Sequence, residues 1–315
     1  MRTDACRGVL RRSGHVVGLV TAMVVVAACG GQAGSQAGGS TETGAGAPAI
    51  GSAAPLYSQL PERIQKAGEI VVSNPLSNPP YAYLDTDGKT LHGITPDLSK
   101  SLEPLLGVKF RWINTPFPGL MPGLQARRFD MIWGSVTDTK EREAILDFVA
   151  YQKEGSVLLV KSGNPDRIAD ITSLCGKVAS ALAGSVQIAL LTNQSSACTA
   201  GGQAAINVKV YQSVADAELA VRSGNVSTFF AGFSAALYQV RTAGDGHVYA
   251  TAGPLYDAQV YGAGFRKDDR QLATAVQNGI KRLVNDGTYQ RIFDQYGLGQ
   301  AKLTADEITI NGARS

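Results

Sequence analysis

The chain has 315 residues, 44% of them hydrophobic and 17% charged, which is enough for one large or two small folded domains. Its net charge of +3 comes from residues 1–28, and the remainder holds 25 basic and 25 acidic residues. This balance excludes the basic surface expected of a nucleic-acid-binding protein.

Residues 1–28 have the layout of a cleaved export signal. Four arginines between positions 2 and 12 precede an apolar run at 16–28 that is too short to span a bilayer and ends in small residues. The sequence V-A-A-C at 26–29 resembles the bacterial lipobox, so we expect cleavage before Cys29 and a diacylglyceryl thioether on its sulfur. The alternative is an ordinary signal peptide with an incidental cysteine. A lipid on Cys29 would anchor the protein to the outer face of the cell membrane.

Residues 29–55 are predicted to form a flexible tether. After Cys29 the segment is nearly all Gly, Ala, Ser, Gln and Thr, with no apolar periodicity, so it cannot bury enough surface to fold. Its root-mean-square reach would be about 30 Å, which lets a folded domain work close to a membrane without lying on it.

Two cysteines remain after the signal and the lipidation site are set aside. Cys175 and Cys198 are an even pair in an oxidising compartment, so we expect a disulfide worth about 3 kcal/mol. We expect no metal site, because His92 and His247 have no metal-ligand spacing to a cysteine or an acid.

Helix and strand patterns alternate from residue 56 onward. The first unit has strand patterns at 70–72, 109–113 and 131–133, with a helix starting at Thr95 and Pro96. The turn Asp85–Gly88 predicts a hairpin. A second unit follows, with strands at 177–181, 205–210 and 228–230 and helices at 186–191 and 214–223, before two terminal helices at 270–285 and 289–296. This alternation predicts α/β units with parallel sheets covered by helices.

An ordered set of motifs along about 240 residues resembles the family 3 extracellular solute-binding proteins, the receptors of polar amino-acid ABC transporters. The most specific motif is G-S-V-T-D-T-K-E-R at 134–142. The others are G-E-I-V-V at 68–72, P-P-Y-A-Y at 79–83, G-K-T-L-H-G at 88–93, F-P-G-L-M-P-G-L-Q at 117–125, L-C-G-K-V at 174–178, G-T-Y at 287–289 and Y-G at 296–297. The cysteine-containing motif is typical of actinobacterial members.

The resemblance implies a two-lobed, type II periplasmic-binding-protein-like fold. Lobe 1 would comprise 56–156 plus 254–315, and lobe 2 would comprise 157–253. Two hinge strands would cross between the lobes near 157–160 and 254–261, and the lobes would close on a ligand by hinge motion. The resemblance also implies a monomer without a cofactor.

The resemblance implies that Arg142 binds a ligand carboxylate, and its chemistry suits that role, because a buried carboxylate needs a paired cation and a guanidinium can bind both of its oxygens. The resemblance assigns polar contacts to Gly134, Ser135 and Thr137. Asp138 or Thr139 could cap the helix that carries Arg142, and the amides at its start would add to the attraction for an anion. The alternative is that Arg142 is a surface residue of a charged helix.

The rest of the predicted site comes from other loops. Gly184 and Ser185 precede a helix of the second lobe and could present amides and a hydroxyl to the same carboxylate. Phe117 resembles the aromatic that packs on the ligand side chain, although it could equally be part of the core. Asn78 stands where the first loop of the family usually has a stacking aromatic.

The half of the pocket that would hold an α-ammonium departs from the family pattern. Gly232 occupies the position of the usual lobe-two Asp, Ser227 replaces an Asp earlier in the same strand, and Pro75 replaces an occasional acid of the first loop. Three explanations remain open. The ligand lacks an α-ammonium, Asp257 beside Gln259 supplies the charge, or the register slips in this segment.

Three functions fit these observations. The first is a receptor that binds a carboxylate-bearing, amino-acid-like solute and delivers it to an ABC transporter permease, with no catalytic residue. The second is a lipoprotein sensor that signals through a membrane partner. The third is a dehydratase acting on a cyclic acid, as in cyclohexadienyl dehydratases of this fold, for which Asp257 could serve as acid or base.

Overall fold

The computed structural model describes residues 51–313, so the predicted signal and the lipidation site at Cys29 lie outside the described residues. The helices are α1 Glu62–Ala67, α2 Ile94–Leu106, α3 Leu120–Gln125, α4 Lys140–Glu143, α5 Val186–Ala200, α6 Val214–Arg222, α7 Phe233–Thr242, α8 Arg270–Asn285 and α9 Thr288–Gln295. The strands are β1 Glu69–Asn74, β2 Ser77–Asn78, β3 Ala82–Leu84, β4 Leu91–His92, β5 Lys109–Asn114, β6 Met131–Ile132, β7 Leu146–Lys161, β8 Val178–Leu182, β9 Asn207–Tyr211, β10 Thr228–Gly232 and β11 Tyr249–Arg266.

The main sheet has the order β5-β1-β6-β11-β7-β10-β8-β9. At one end β1 pairs in parallel with β5 and β6, and at the other end β8 pairs in parallel with β9 and β10. The predicted parallel units are therefore confirmed, and each forms the sheet of one lobe. A small antiparallel sheet of β2, β3 and β4 contains the predicted hairpin.

Two long antiparallel strands connect the lobes. β7 and β11 pair from Leu146 with Arg266 to Lys161 with Tyr249. Within β7, residues 156–159 already pair with β10 of the second lobe. Residues 157–160, where the crossing was predicted, thus already belong to the sheet of the second lobe. The chain leaves the first lobe just before them. The lobe limits drawn at 156/157 and 253/254 stay predictions.

Each lobe has its own buried core, and the two lobes also touch. The largest cluster surrounds α2, α8 and α9, and two further clusters lie on the two faces of the β8–β10 sheet. A fourth cluster joins Phe117, Leu120 and Phe148 of the first lobe to Leu182 of the second. The cleft between the lobes is therefore narrow at this point.

A C-terminal strap, residues 310–313, lies against β7 and α4. Ile310 bridges to Val149, and the amide of Asn311 donates to the carbonyl of Phe148. The amide of Gly312 donates to Asp138 at 3.0 Å, and that of Ala313 donates to Glu143 at 2.9 Å. The strap therefore holds both ends of the short α4 segment.

Two local predictions were wrong in detail. The tether was placed up to residue 55, but the amide of Gly51 donates to the carbonyl of Gly107 at 2.9 Å and Ala54 is buried. Residues 51–55 therefore pack on the first lobe, where even small side chains fill space beside α2. The helix predicted to start at Thr95 starts at Ile94, and the Thr95 hydroxyl donates to the carbonyl of Tyr81.

Candidate functional site

A cavity lies in the cleft and is lined by residues of both lobes. Its polar lining consists of Asn78, Ser135, Thr137, Arg142, Ser185, Gln187 and Tyr261. Its apolar lining includes Phe117, Leu182, Val186, Val214, Phe229 and Ala235. Among the described residues, the cavity lining therefore combines one cationic side chain, that of Arg142, with neutral polar groups and a largely apolar wall.

Arg142 is buried between the lobes, with 8% of its surface exposed. The side chain of Thr139 caps α4 and accepts a hydrogen bond from the Arg142 amide at 3.2 Å, so the first predicted cap alternative, Asp138, is not used. The guanidinium donates to the carbonyl of Thr137 at 2.8 Å and, across the cleft, to the carbonyl of Gly184 at 2.9 Å. Arg142 is therefore not the surface residue of the alternative interpretation.

Arg142 has no ion-pair partner in the described part of the chain, and the nearby acids Glu141 and Asp138 act on its charge without forming such a pair. Among residues 51–313, no carboxylate oxygen lies within the 4.0 Å of an ion pair with its guanidinium. Burial lowers the pKa of Arg142, because a dry environment disfavours the charged form. A buried cation bonded to two carbonyl groups is costly unless an anion joins it.

The opposite wall of the cavity is the start of α5. Ser185 is its N-cap residue, yet its hydroxyl caps no amide and has no hydrogen-bond partner within the described part of the chain. The amides of Val186 and Gln187 stand in the first turn, where no intrahelical acceptor exists. The helix dipole of this 15-residue helix adds partial positive charge at the same place. By contrast, α4 has four residues, so the predicted dipole contribution from its start is small.

Asn78 and Ser135 form a polar pair at the first-lobe side. Asn78 Nδ2 donates to Ser135 Oγ at 2.7 Å. Asn78 is buried, and its Oδ1 has no partner among the described residues. This oxygen and the hydroxyl of Ser185 are thus free to bind a polar ligand group.

Three predicted site residues lie outside the cavity lining. Gly134 lies behind the wall, where its carbonyl accepts from Tyr151 Oη at 2.8 Å and a Cβ atom would meet Asn74. Gly184 and the exposed Asp257 line an outer part of the cleft, together with Arg142. Gly184 therefore contacts the guanidinium rather than the inner cavity. Phe117 belongs both to the core and to the lining, so its two interpretations are compatible.

Residues 70–300 match the family model described as bacterial extracellular solute-binding proteins, family 3. The chain belongs to this family. The L-arginine-binding protein of Pseudomonas aeruginosa PAO1 is 30% identical over 226 residues, which are 69% of this chain and 83% of that protein. The L-cystine-binding protein TcyJ of Escherichia coli K12 is 27% identical over 238 residues, which are 75% of this chain and 85% of that protein.

A solved structure of similar fold is the ancestral amino acid-binding protein AncCDT-1, a precursor of cyclohexadienyl dehydratase. It superposes with a TM-score of 0.66 at 25% identity and covers 74% of this chain and 97% of its own. The named curated relatives are binding proteins rather than enzymes. The two-lobed fold and the family resemblance predicted from the sequence are thereby confirmed.

In this family 3 solute-binding protein, sequence reasoning missed Tyr261, Gln187 and Val214. Tyr261 lies on β11, and a Cβ atom built on Gly232 would be 2.3 Å from its hydroxyl oxygen. The phenol therefore fills the space into which a side chain at position 232 would extend. Alternation in the sequence could not identify this residue, because the pairing of β11 with β7 shifts register on both sides of the segment that contains it.

A buried carboxylate beside the cavity was also missed. Glu154 on β7 accepts from Tyr81 Oη at 2.7 Å and Gln152 Nε2 at 2.8 Å on one oxygen. Its other oxygen accepts from the amides of Gly155 at 3.2 Å and Ser234 at 3.0 Å. Burial raises the pKa of Glu154 although these bonds oppose the shift. Glu154 thus joins Tyr81 of the first lobe to the start of α7 in the second.

The remaining structural features concern the cysteines, metal ligands and membrane. Cys175 and Cys198 form the expected disulfide, with their Cα atoms 5.6 Å apart. Within residues 51–313 no group of three or more His, Cys, Asp or Glu side chains is arranged to hold a metal ion. In the same range no helix has both the length and the apolar character needed to cross a membrane.

Proposed function

We propose that this protein is an exported, lipid-anchored receptor that captures a small carboxylate-bearing, amino-acid-like solute between its lobes and delivers it to an ABC transporter permease. The observation that carries the proposal is Arg142, a buried guanidinium bound to two carbonyl groups and to no acid within the described chain. A ligand carboxylate would supply the missing negative charge.

The surroundings of Arg142 suit a carboxylate. The two carboxylate oxygens would accept hydrogen bonds from the guanidinium. From the second lobe, the free amides of Val186 and Gln187 and the hydroxyl of Ser185 would donate to the same oxygens. The ligand would then bridge the lobes and favour the closed form, since it contacts both walls only when the cleft is shut. The binding functions printed in the names of the relatives, for arginine and cystine, support an amino-acid-like body.

The proposed lipid anchor on Cys29 and the proposed permease partner are supported by observations other than Arg142. The V-A-A-C sequence at 26–29 supports lipidation of Cys29, and the residues up to about 50 would then tether the folded part to the membrane. Metabolic labelling with a radioactive fatty acid should mark the wild-type protein and leave a Cys29→Ala variant unlabelled. Neighbouring permease and ATPase genes would favour transport, whereas a neighbouring kinase gene would favour the sensor.

We infer binding without turnover. The dehydratase alternative requires a positioned acid or base at the ligand, and Asp257 is exposed in the outer cleft. Incubation of the protein with prephenate should leave the substrate unchanged, as followed by absorbance of aromatic products. Formation of product above a buffer control would favour the enzyme.

Ligand analogues test the carboxylate proposal directly. Carboxylates and their matched primary amides, such as 4-methylpentanoate with 4-methylpentanamide and L-leucine with L-leucinamide, differ in the charged group alone. A carboxylate at 100 times its Kd should stabilise the protein by about 2.7 kcal/mol. For a protein of this size that is a rise in Tm of about 5–10 °C. Equal shifts in Tm with a carboxylate and its amide would show that the ligand does not pair with the charge of Arg142.

A further inference from the structure

We propose that the solute bound in this cavity is a carboxylate with an apolar body and no ammonium group. The proposal deepens the function argued above and rests on it, since it assumes that Arg142 meets a ligand carboxylate. Three features of the cavity wall support it: the charge of its side chains, the space beside Gly232 that Tyr261 fills, and the apolar character of the remaining lining.

No acidic side chain of residues 51–313 lines the cavity. Arg142 is the charged member of its lining, and none of the described residues that line it is Asp or Glu. The other polar groups are neutral hydroxyls and amides, including the free Oδ1 of Asn78. An ammonium group entering the cavity would lose its water and gain neutral acceptors beside an existing cation. That exchange is unfavourable in a dry site.

A phenol occupies the position from which an acid could reach the ligand on the second-lobe wall. Gly232 ends β10, and the Tyr261 hydroxyl oxygen lies 2.3 Å from where its Cβ atom would be. Gly232 has an ordinary extended backbone, with φ at −63°, so its glycine is not required by conformation. The close approach of Tyr261 explains the glycine instead. Because burial raises the pKa of Tyr261 well above its usual value, the phenol stays neutral.

Two acids close to the cavity, Glu154 and Asp257, form hydrogen bonds with other residues. Glu154 lines an adjoining recess, and both of its oxygens already accept hydrogen bonds, from Tyr81, Gln152, Gly155 and Ser234. Asp257 is exposed at the outer cleft, where Gln259 Nε2 donates to it at 3.0 Å. Asp257 also lines the recess that contains Glu154, and neither acid belongs to the lining of the cavity itself among the described residues.

The rest of the wall suits a hydrocarbon body. Phe117 and Leu182, from opposite lobes, belong to one apolar cluster, and Val186, Val214 and Phe229 complete the apolar surface. A branched or aromatic group placed there would contribute about 25 cal/mol per Å² of apolar surface removed from water. Neutral oxygens on the ligand, such as a 2-oxo or 2-hydroxy group, could bond to Asn78 or Ser185.

Matched ligand pairs on the unaltered protein test the proposal. Titration calorimetry would compare 4-methyl-2-oxopentanoate with L-leucine, and phenylpyruvate with L-phenylalanine. The acid without the ammonium should bind at least about tenfold more tightly in at least one pair, since an unpaired buried charge costs more than 1.4 kcal/mol. An amino acid that binds as tightly as its partner in both pairs would overturn the inference. If the amino acid bound the wild-type protein but not the Arg142→Ala variant, the proposed function would still stand. Binding of no carboxylate in either series would overturn both.

A paired variant tests the role of position 232. Tyr261→Phe removes the hydroxyl that a larger residue at position 232 would contact. Adding Gly232→Asp to this variant places a carboxylate on the cavity wall. The double variant should shift the preference toward the amino acid at least tenfold relative to Tyr261→Phe alone. Circular dichroism would establish that both variants fold. An unchanged preference in a folded double variant would overturn the assignment of this position to ligand selection.

Discussion

Replacement of Arg142 by methionine should separate stability from binding. Methionine has a similar length and no charge, so it fills much of the same space. The substitution removes two hydrogen bonds, to Thr137 at 2.8 Å and Gly184 at 2.9 Å, each worth about 1 kcal/mol. It also removes the penalty of holding an unpaired guanidinium out of water, which is several kcal/mol. We therefore expect the ligand-free variant to be as stable as the wild type or more stable by about 1–2 kcal/mol.

The effect on binding should have the opposite sign. Loss of one partner from a buried charge pair costs about 3–5 kcal/mol, because the other charge is left unpaired. The Kd of a bound carboxylate should therefore rise by roughly 10² to 10³·⁵. Urea denaturation without ligand and titration calorimetry with ligand measure the two effects. Arg111→Met is a matched control, since Arg111 is exposed and pairs with Glu69 at 3.0 Å on the far edge of the sheet.

The control should change stability by less than about 1 kcal/mol and leave the affinity unaltered. The reasoning would be refuted if Arg142→Met lost several kcal/mol of stability without ligand. That result would show that the guanidinium is a structural group whose charge is already compensated. Retained affinity in a folded Arg142→Met variant would remove Arg142 from the ligand site.

Three further outcomes are expected. Replacing both Cys175 and Cys198 by alanine should lower the free energy of unfolding by about 3 kcal/mol in urea denaturation, because the closed loop spans 23 residues; a loss below 1 kcal/mol would contradict this. Glu154→Gln should cost about 1–3 kcal/mol in the same assay, since an amide nitrogen would face donors that now bond to a carboxylate. Burial raises the pKa of Glu218 from 4.5 to about 8, so the folded form holds this proton more tightly and stability falls as pH rises between those values. Thermal unfolding at pH 5 and pH 8 should therefore show a smaller decrease for Glu218→Gln than for the wild type, and equal decreases would contradict the shift.

Much of the fold was predictable because its signals are local. The strand and helix alternation comes from apolar periodicity within short segments, and β8, α5, β9 and α6 begin within two residues of their expected positions. The cap on α4 was predictable for the same reason, since Thr139 and Arg142 are three residues apart. The ordered motifs then linked these elements to one family.

The details of the cleft were less predictable because they depend on irregular strands. β11 has register shifts between Ala252 and Tyr256 and again between Tyr256 and Gln259. A side chain in such a stretch cannot be assigned to a face by alternation, so Asp257 was expected at the ligand and Tyr261 was overlooked. Asp257 has a positive φ of 46°, which turns the chain at this point. Glu154 was missed because two of its four donors, Tyr81 and Ser234, come from distant parts of the chain.

The C-terminal strap constrains how the protein can be equipped with reporters. Because the amides of Gly312 and Ala313 bond to the acids flanking Arg142, a fluorescent partner fused directly after this segment would pull on the anion-gripping helix. The hairpin turn around Asp87 and Gly88 is fully exposed and remote from that helix in sequence. Dyes or inserted domains that report closing of the lobes are better attached at this turn, because a change in the loop does not alter the contacts of α4.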